Sequence, residues 1–260
     1  MRAPNPRRDH VETWLLPLLV GGAIIALWQS LVSLTKTTVF PSPAAVARGI
    51  AGLIEQRLLL RYVGDSLFRI SLGFGAATLL GIPIGLAMGW YPRMARILNP
   101  IIQILRPISP LAWIPVAIVL FGVTNGAAVF LIFLASFFPI AVAAMNAVRG
   151  VPDIYIRAAR NFGLSTGKMF LRVVYPATLP KVLLGLRLAL GVAWLVMVAA
   201  EMIAVDSGLG YLIVDARNAG KRYDLVVGGM LLIGLIGLVL DAGFRRLERL
   251  RWVRWGDRDE

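Results

Sequence analysis

The chain has 260 residues, of which 58% are hydrophobic and 16% charged, and its formal net charge at pH 7 is +13. A soluble domain carries about 25% charged residues, so this composition excludes a fold surrounded only by water. The sequence has no cysteine and one histidine, His10, which excludes a disulfide framework, a thiolate metal site and a histidine cluster. We therefore expect a membrane protein without a metal site or catalytic residues.

Six segments are apolar over the roughly 20 residues that a helix needs to cross a bilayer. Their apolar residues do not alternate, which argues against transmembrane strands. The predicted spans cover residues 11–33, 65–90, 95–121, 125–149, 177–204 and 225–247. The predicted fold is an all-α membrane protein with six transmembrane helices in one domain (11–249), between tails at 1–10 and 250–260.

Positive charge follows the segments between the predicted spans. With the N-terminus in the cytoplasm, the inner segments hold 16 Lys and Arg residues and the outer segments hold 7. This asymmetry follows the positive-inside rule and predicts that both termini and the polar loop at 150–176 are cytoplasmic. Because the charge is not gathered on one face of a folded domain, we expect no nucleic-acid partner.

The segment after the first span predicts a short helix on the outer membrane surface. It begins Pro41-Ser42-Pro43 and continues as an amphipathic stretch over 44–61. Ser42 suits an N-cap, and Pro43 suits the first helical position because the missing N–H has no partner there in any case.

The second span carries a small residue at every fourth position: Gly73, Ala77, Gly81, Gly85 and Gly89. Small side chains let two helices approach closely in lipid. The pattern favours packing inside the chain, and contact between subunits is the alternative.

The third span is interrupted by prolines at four positions: Pro100, Pro107, Pro110 and Pro115. Each proline removes a backbone donor and crowds the preceding turn. Two structures fit this pattern, a kinked helix or a broken helix that lines a wet pathway. Arg106 lies in the interruption and offers a donor fork to an oxyanion. Arg106, Ser109 and Trp113 are therefore candidate pathway residues.

Ionisable residues inside spans are functional candidates because their burial in lipid is costly. Arg69 and Glu201 lie near the outer ends of their spans, and Arg187 lies deep in the fifth span. These three join the candidate pathway. Asp241 has Arg245 one turn away, which predicts a local ion pair.

The polar loop at 150–176 predicts two short helices. The first starts at Val151-Pro152-Asp153, and Ile154, Ala158, Ala159 and Phe162 share one of its faces. By pattern alone this helix is either an adaptor for another protein or a plain surface helix. The run from Gly163 to Lys168 is not a Walker A motif, because three residues separate its glycines and Met169 follows the lysine. We therefore expect no nucleotide site in this chain.

The same loop resembles the EAA signature of binding-protein-dependent ABC importer permeases. The matching residues are Arg157-Ala158-Ala159, Gly163, Pro176 and Pro180, with thirteen positions from Gly163 to Pro176. Four further stretches resemble the nitrate, sulfonate, taurine and bicarbonate branch of that family: PSP (41–43), RPISPLAWIPVAIVLFG (106–122), GLRLALGVAWLVMVAAEMIA (185–204) and SGLGYLI (207–213).

This resemblance implies a type I importer permease in the bacterial inner membrane. It implies a second permease copy, forming a homodimer, a cytoplasmic ATPase dimer that holds ATP and Mg, and an extracytoplasmic substrate-binding protein. The chain itself would bind no cofactor. The cargo expected for this branch is a small anion such as nitrate, a sulfonate or taurine.

The resemblance also assigns ATPase coupling to the cytoplasmic helices at 153–173. The signature's glutamate is replaced by Arg157, a charge reversal, and Asp153 one turn earlier is a candidate substitute. The predicted coupling residues are Asp153, Arg157, Ala158, Ala159, Arg160, Phe162 and Gly163.

A gradient-driven secondary anion transporter is the alternative function. Such transporters commonly carry an inverted repeat with a broken helix in each half. This sequence has one proline-broken span without an obvious counterpart, which favours the permease.

Overall fold

The computed structural model describes residues 6–35 and 40–248, and within these ranges every regular element is helical. The helices are α1 (Pro6–Thr35), α2 (Pro43–Glu55), α3 (Leu58–Trp90), α4 (Pro92–Leu105), α5 (Ile114–Phe121), α6 (Asn125–Arg149), α7 (Asp153–Asn161), α8 (Thr166–Met169), α9 (Tyr175–Ile203), α10 (Leu209–Gly220) and α11 (Tyr223–Glu248). A 3₁₀ turn (Pro110–Trp113) precedes α5, and a π turn (Phe170–Val174) joins α8 to α9. The predicted tail at 250–260 lies outside the described residues, and residues 6–10 of the other predicted tail belong to α1.

Five helical segments are long and apolar enough to cross a membrane: 18–35 within α1, α3, α6, the continuous helix 166–203, and α11. The bent pair α4 and α5 forms a sixth if it counts as one span. The prediction of an all-α protein with six spans agrees with this count. α3 begins at residue 58, earlier than the predicted 65, because the helix continues beyond the apolar stretch.

The third span is broken, with an angle of 84° between α4 and the 3₁₀–α5 segment. Pro107 and Pro110 lie in the break, where they remove two backbone donors and crowd the turn before them. Of the two structures that the sequence allows, the broken helix is therefore the one observed.

The fifth span begins earlier than predicted. The sequence predicts a start at residue 177, after Pro176, but the helix runs without interruption from Thr166 to Ile203. The π turn at 170–174 lies immediately before Pro176 and widens the helix where the proline ring would crowd a carbonyl four residues earlier. A continuous helix of 38 residues therefore links the polar loop to the other side of the bundle.

The small-residue stripe of α3 packs against α6 inside the chain. A Cβ added to Gly81 would lie 3.0 Å from the side chain of Ile140, and one added to Gly89 would lie 2.8 Å from the carbonyl oxygen of Met145. Ala77 is fully buried. The favoured prediction of packing within the subunit is confirmed.

The surface helix α2 follows its predicted start but ends earlier than predicted. The Ser42 hydroxyl accepts from the N–H of Ala45 at 3.3 Å, and Pro43 is the first helical residue. The helix ends at Glu55, and not near 61, because the chain turns at Arg57, which has φ of 57°. The buried face of α2 lies against α11, where Ile50 contacts the position of Gly228.

Candidate functional site

Arg69 and Glu201 form a buried ion pair between α3 and α9. Arg69 Nη1 lies 2.7 Å from Glu201 Oε1, and the two side chains are 1% and 0% exposed. The hydroxyl of Ser66 donates to the same carboxylate at 2.8 Å. Because burial of an unpaired charge is costly, each charge makes the other tolerable at this depth.

The loop between α9 and α10 and the first residue of α6, Asn125, complete this cluster. Arg69 donates to the carbonyl of Ser207 at 2.7 Å and to Asn125 Oδ1 at 2.7 Å. The N–H of Gly210 donates to Glu201 Oε2 at 3.0 Å, and the N–H of Leu209 donates to the Ser66 hydroxyl at 3.0 Å. The guanidinium and the carboxylate thus find their hydrogen-bond partners within the protein. We call Ser66, Arg69, Asn125, Glu201 and Ser207 the buried polar cluster.

Gly208 is required beside the buried polar cluster. Its φ is +107°, which favours glycine, and a Cβ there would collide with the Glu201 carboxylate. Sequence reasoning missed the cluster residues Ser66, Asn125 and Ser207. The only local signal is that Ser66 lies three positions before Arg69, on the same face of a helix.

Arg187 is also neutralised by the protein. Its guanidinium makes a double hydrogen bond to the carboxylate of Asp241 on α11 and lies 3.2 Å from Glu248. Arg245 Nη2 lies 3.0 Å from Asp241, so the predicted local pair is confirmed. The arginine and its two carboxylate partners are 24–39% exposed, and the network lies at the surface of the α9–α11 seam.

Arg106 differs from the other candidate pathway cations. It lies at the end of α4 and lines a cavity of about 150 Å³ in the helix break. Within residues 6–35 and 40–248, no carboxylate forms an ion pair with it. Its charge is therefore available to a ligand.

The cavity at the helix break is otherwise apolar. Trp113 lines it, whereas the Ser109 hydroxyl instead accepts from the N–H of Leu111 at 3.3 Å and caps the 3₁₀ turn. The remaining lining residues come from the break, α6 and α9: Ile108, Pro110, Leu134, Ala135, Phe138, Pro139 and Val192. A cation beside apolar walls attracts an anion more strongly than it would in water.

The predicted coupling residues lie on and just after α7. Ile154, Ala158 and Phe162 are exposed, with Phe162 at 84%, whereas Ala159 is buried at 5%. The prediction that Ala159 shares the face of the other three is therefore wrong. Adjacent residues on a helix point about 100° apart, so Ala158 faces outward while Ala159 packs against the rest of the protein.

The end of α7 is a tight left-handed turn at Gly163. This residue has φ of +70°, and its N–H donates to the carbonyl of Arg160 at 2.8 Å. Asp153 and Arg157 lie 4.0 Å apart on the exposed surface. Arg160 is also exposed, and it lines a cavity between α7 and the α3–α4 turn.

Similarity to known proteins decides the family. The family described as "binding-protein-dependent transport system inner membrane component" matches residues 79–252. The chain belongs to this family. The permease is 41% identical over 199 residues to the taurine transport system permease protein TauC of Escherichia coli, which covers 76% of this chain and 71% of TauC. It is 37% identical over 180 residues to the nitrate import permease protein NrtB of Leptolyngbya laminosa, covering 69% of this chain and 64% of NrtB.

Solved structures give the same fold. An inward-facing structure of the MetNI methionine ABC transporter superimposes with a TM-score of 0.65 at 20% identity, covering 74% of this chain and 95% of that one. The predicted type I importer permease fold and family are confirmed, and the permease is a protein of the inner membrane. A gradient-driven transporter finds no support. The roles of individual site residues stay predictions.

Proposed function

We propose that the permease forms the translocation pathway of an ATP-driven importer for small oxyanions of the nitrate, sulfonate and taurine type. An extracytoplasmic binding protein delivers the anion to a homodimer of this chain. A cytoplasmic ATPase dimer, which holds ATP and Mg, binds the 153–173 segments. The observation that carries the proposal is Arg106 in the broken span, which has no ion-pair partner among the described residues.

The chemistry of Arg106 fits this cargo. A guanidinium presents planar N–H donors that match two oxygens of one oxyanion. Nitrate and the sulfonate group of taurine each offer such a pair, and the named relatives TauC and NrtB support the same class. The charges of Arg69 and Arg187 are already neutralised by the protein's own carboxylates, Glu201 for Arg69 and Asp241 for Arg187. The small cavity suits an anionic head group in transit.

Uptake by an Arg106→Gln variant tests the pathway directly. We expect the initial rate of uptake of the radiolabelled anion to fall about tenfold, because one charge-assisted contact to the anion is lost. Arg106→Lys keeps the charge but not the fork, and we expect an intermediate rate. Arg93→Gln removes an exposed charge at the start of the same helix and serves as the matched control.

Uptake by Arg106→Gln equal to that of Arg93→Gln, in complexes that assemble normally, would exclude Arg106 from the pathway. Assembly is checked by copurification of the ATPase. A well-folded permease that copurifies no ATPase would contradict the importer itself and leave the role of Arg106 as a separate question.

The continuous helix 166–203 supports the coupling role. A displacement of the 153–173 segment reaches α9 through unbroken helix, and α9 carries both Val192 of the cavity and Glu201 of the buried polar cluster. The exposed apolar side chains of Ile154 and Phe162 supply a surface for the ATPase. On this proposal, closure of the ATPase dimer moves α9 relative to the break.

Gly163→Ala tests that coupling. An alanine in the left-handed region costs about 1–2 kcal/mol, so we expect the turn after α7 to shift and substrate-stimulated ATPase activity to fall several-fold. Gly167→Ala is the control, because it lies in α8 with open space around its Cβ position. Equal stimulation of both variants would mean that the geometry of this turn does not matter for coupling.

A further inference from the structure

A cavity of about 340 Å³ lies behind α7, between that helix and the turn from α3 to α4. Its volume falls within the ~300–1,000 Å³ typical of small-ligand sites. The lining residues come from two segments that are distant in sequence, 90–91 and 156–169: Trp90, Tyr91, Ile156, Arg160, Leu164, Thr166 and Met169. The proposed ATPase surface uses the exposed side chains of Ile154 and Phe162, whereas Arg160 is the predicted coupling residue that lines this cavity. The cavity itself has no role in the proposed function.

The lining of this cavity is amphipathic. Ile156, Leu164 and Met169 are apolar, whereas Arg160 and Thr166 bring a cation and a hydroxyl. In the described part of the chain Arg160 has no acidic partner, although Arg157 one turn earlier pairs with Asp153. One unpaired cation beside apolar walls suits an anion that carries its own apolar part.

The charge of the segments that contribute to this cavity is strongly one-sided. Residues 90–100 and 149–182 together contain eight Lys and Arg residues and a single acidic residue, Asp153. Such an excess is typical of the cytoplasmic side, where the leaflet surface is anionic. Trp90 and Tyr91 end α3, and these residue types concentrate at membrane interfaces. The cavity thus combines an interfacial position with a positive potential.

We propose that this cavity binds the headgroup of an anionic phospholipid of the inner leaflet. The guanidinium of Arg160 and the hydroxyl of Thr166 donate to its phosphate, and Ile156, Leu164 and Met169 contact the glycerol and the first methylenes of an acyl chain. The lipid then bridges α7 and the α3–α4 turn. The inference depends on the proposed function only for the cytoplasmic placement of this end.

Lipid retention by the purified full-length permease, without any ATPase, tests the inference. The chain is equilibrated with phosphatidylglycerol or phosphatidylcholine in mixed micelles, and bound lipid is counted by native mass spectrometry. We expect wild type to retain phosphatidylglycerol in preference to phosphatidylcholine. Arg160→Gln should bind phosphatidylglycerol about tenfold more weakly, since it loses a charge-assisted contact. Arg157→Gln is the matched control on the same helix and should bind as wild type does.

A second variant guards against misfolding as the explanation. Leu164→Trp fills the cavity while Arg160 stays in place, and we expect the same loss of phosphatidylglycerol with an unchanged melting temperature. Equal retention by wild type, Arg160→Gln and Leu164→Trp would overturn the inference. Displacement of the lipid by inorganic phosphate alone would assign the cavity to a soluble anion and overturn it too. Because no ATPase takes part, a failure of the importer proposal leaves this result readable.

Discussion

The buried polar cluster and the helix break place arginines in opposite situations. At the cluster, Arg69 is 1% exposed and its donors reach Glu201, Ser207 and Asn125. At the break, Arg106 is exposed, has no acidic partner among the described residues and lines a cavity. The general rule that intramembrane charges are functional candidates does not separate the two. Their partners do.

The difference has a physical origin. A charge that the protein itself neutralises helps to hold the helices together, and this interaction already stabilises the folded permease when no substrate is bound. A charge without a partner is tolerable only where water or a ligand solvates it. The Arg69–Glu201 pair therefore predicts a stability effect, and Arg106 predicts a transport effect.

The largest effect on stability is expected from Glu201→Gln. The variant leaves Arg69 buried without a counter-charge, and breaking one side of a buried ion pair typically costs about 3–5 kcal/mol. We expect a large drop in the melting temperature of the detergent-purified permease and a lower yield of monodisperse protein. A double-mutant cycle with Arg69→Met should show strong non-additivity, because the second change removes the orphaned charge.

A melting temperature of Glu201→Gln within about a degree or two of wild type would contradict the view that Arg69 is a structural charge and Arg106 a functional one. It would mean that Arg69 finds other partners or water at no cost, and that the cluster is not the closed unit that the hydrogen bonds describe.

An intermediate effect is expected from Asp241→Asn in the α9–α11 network. Arg187 loses its double hydrogen bond to a carboxylate but keeps Glu248. Because these side chains are 24–39% exposed and Arg187 keeps a carboxylate partner, we expect a smaller fall in melting temperature than for Glu201→Gln. Arg245→Gln, which removes only the exposed partner of Asp241, is the control. A loss as large as that of Glu201→Gln would show that the seam is effectively buried in the membrane.

Much of the fold could be predicted because its signals are local. The length of the apolar segments predicts the spans. The small residues at every fourth position from Gly73 predict the face that packs on α6, and Pro107 with Pro110 predicts the break. The helix ends were less accurate. The start of α3 and the junction before α9 depend on backbone hydrogen bonds that continue beyond the apolar stretch, and apolar length does not report them.

The partners of the charged residues could not be predicted from local pattern. Arg69 and Glu201 are 132 positions apart, and Arg187 and Asp241 are 54 apart. Which charges meet depends on how α3, α9 and α11 pack in three dimensions. The pair of Asp241 and Arg245, by contrast, is one helical turn apart and could be predicted from the sequence.

The smallest effect on stability is expected from Arg106→Gln, the same variant whose uptake should fall. Arg106 contributes no ion pair within the described residues, so its loss should change the free energy of unfolding by no more than about 0.5 kcal/mol, as for other exposed positions. Small anions such as nitrate should raise the melting temperature of wild type more than that of the variant, because only wild type offers the guanidinium at the break. A clear destabilisation of the anion-free variant would instead mean that Arg106 is a structural residue like Arg69. Stability and uptake measured on one preparation therefore separate the two kinds of intramembrane charge.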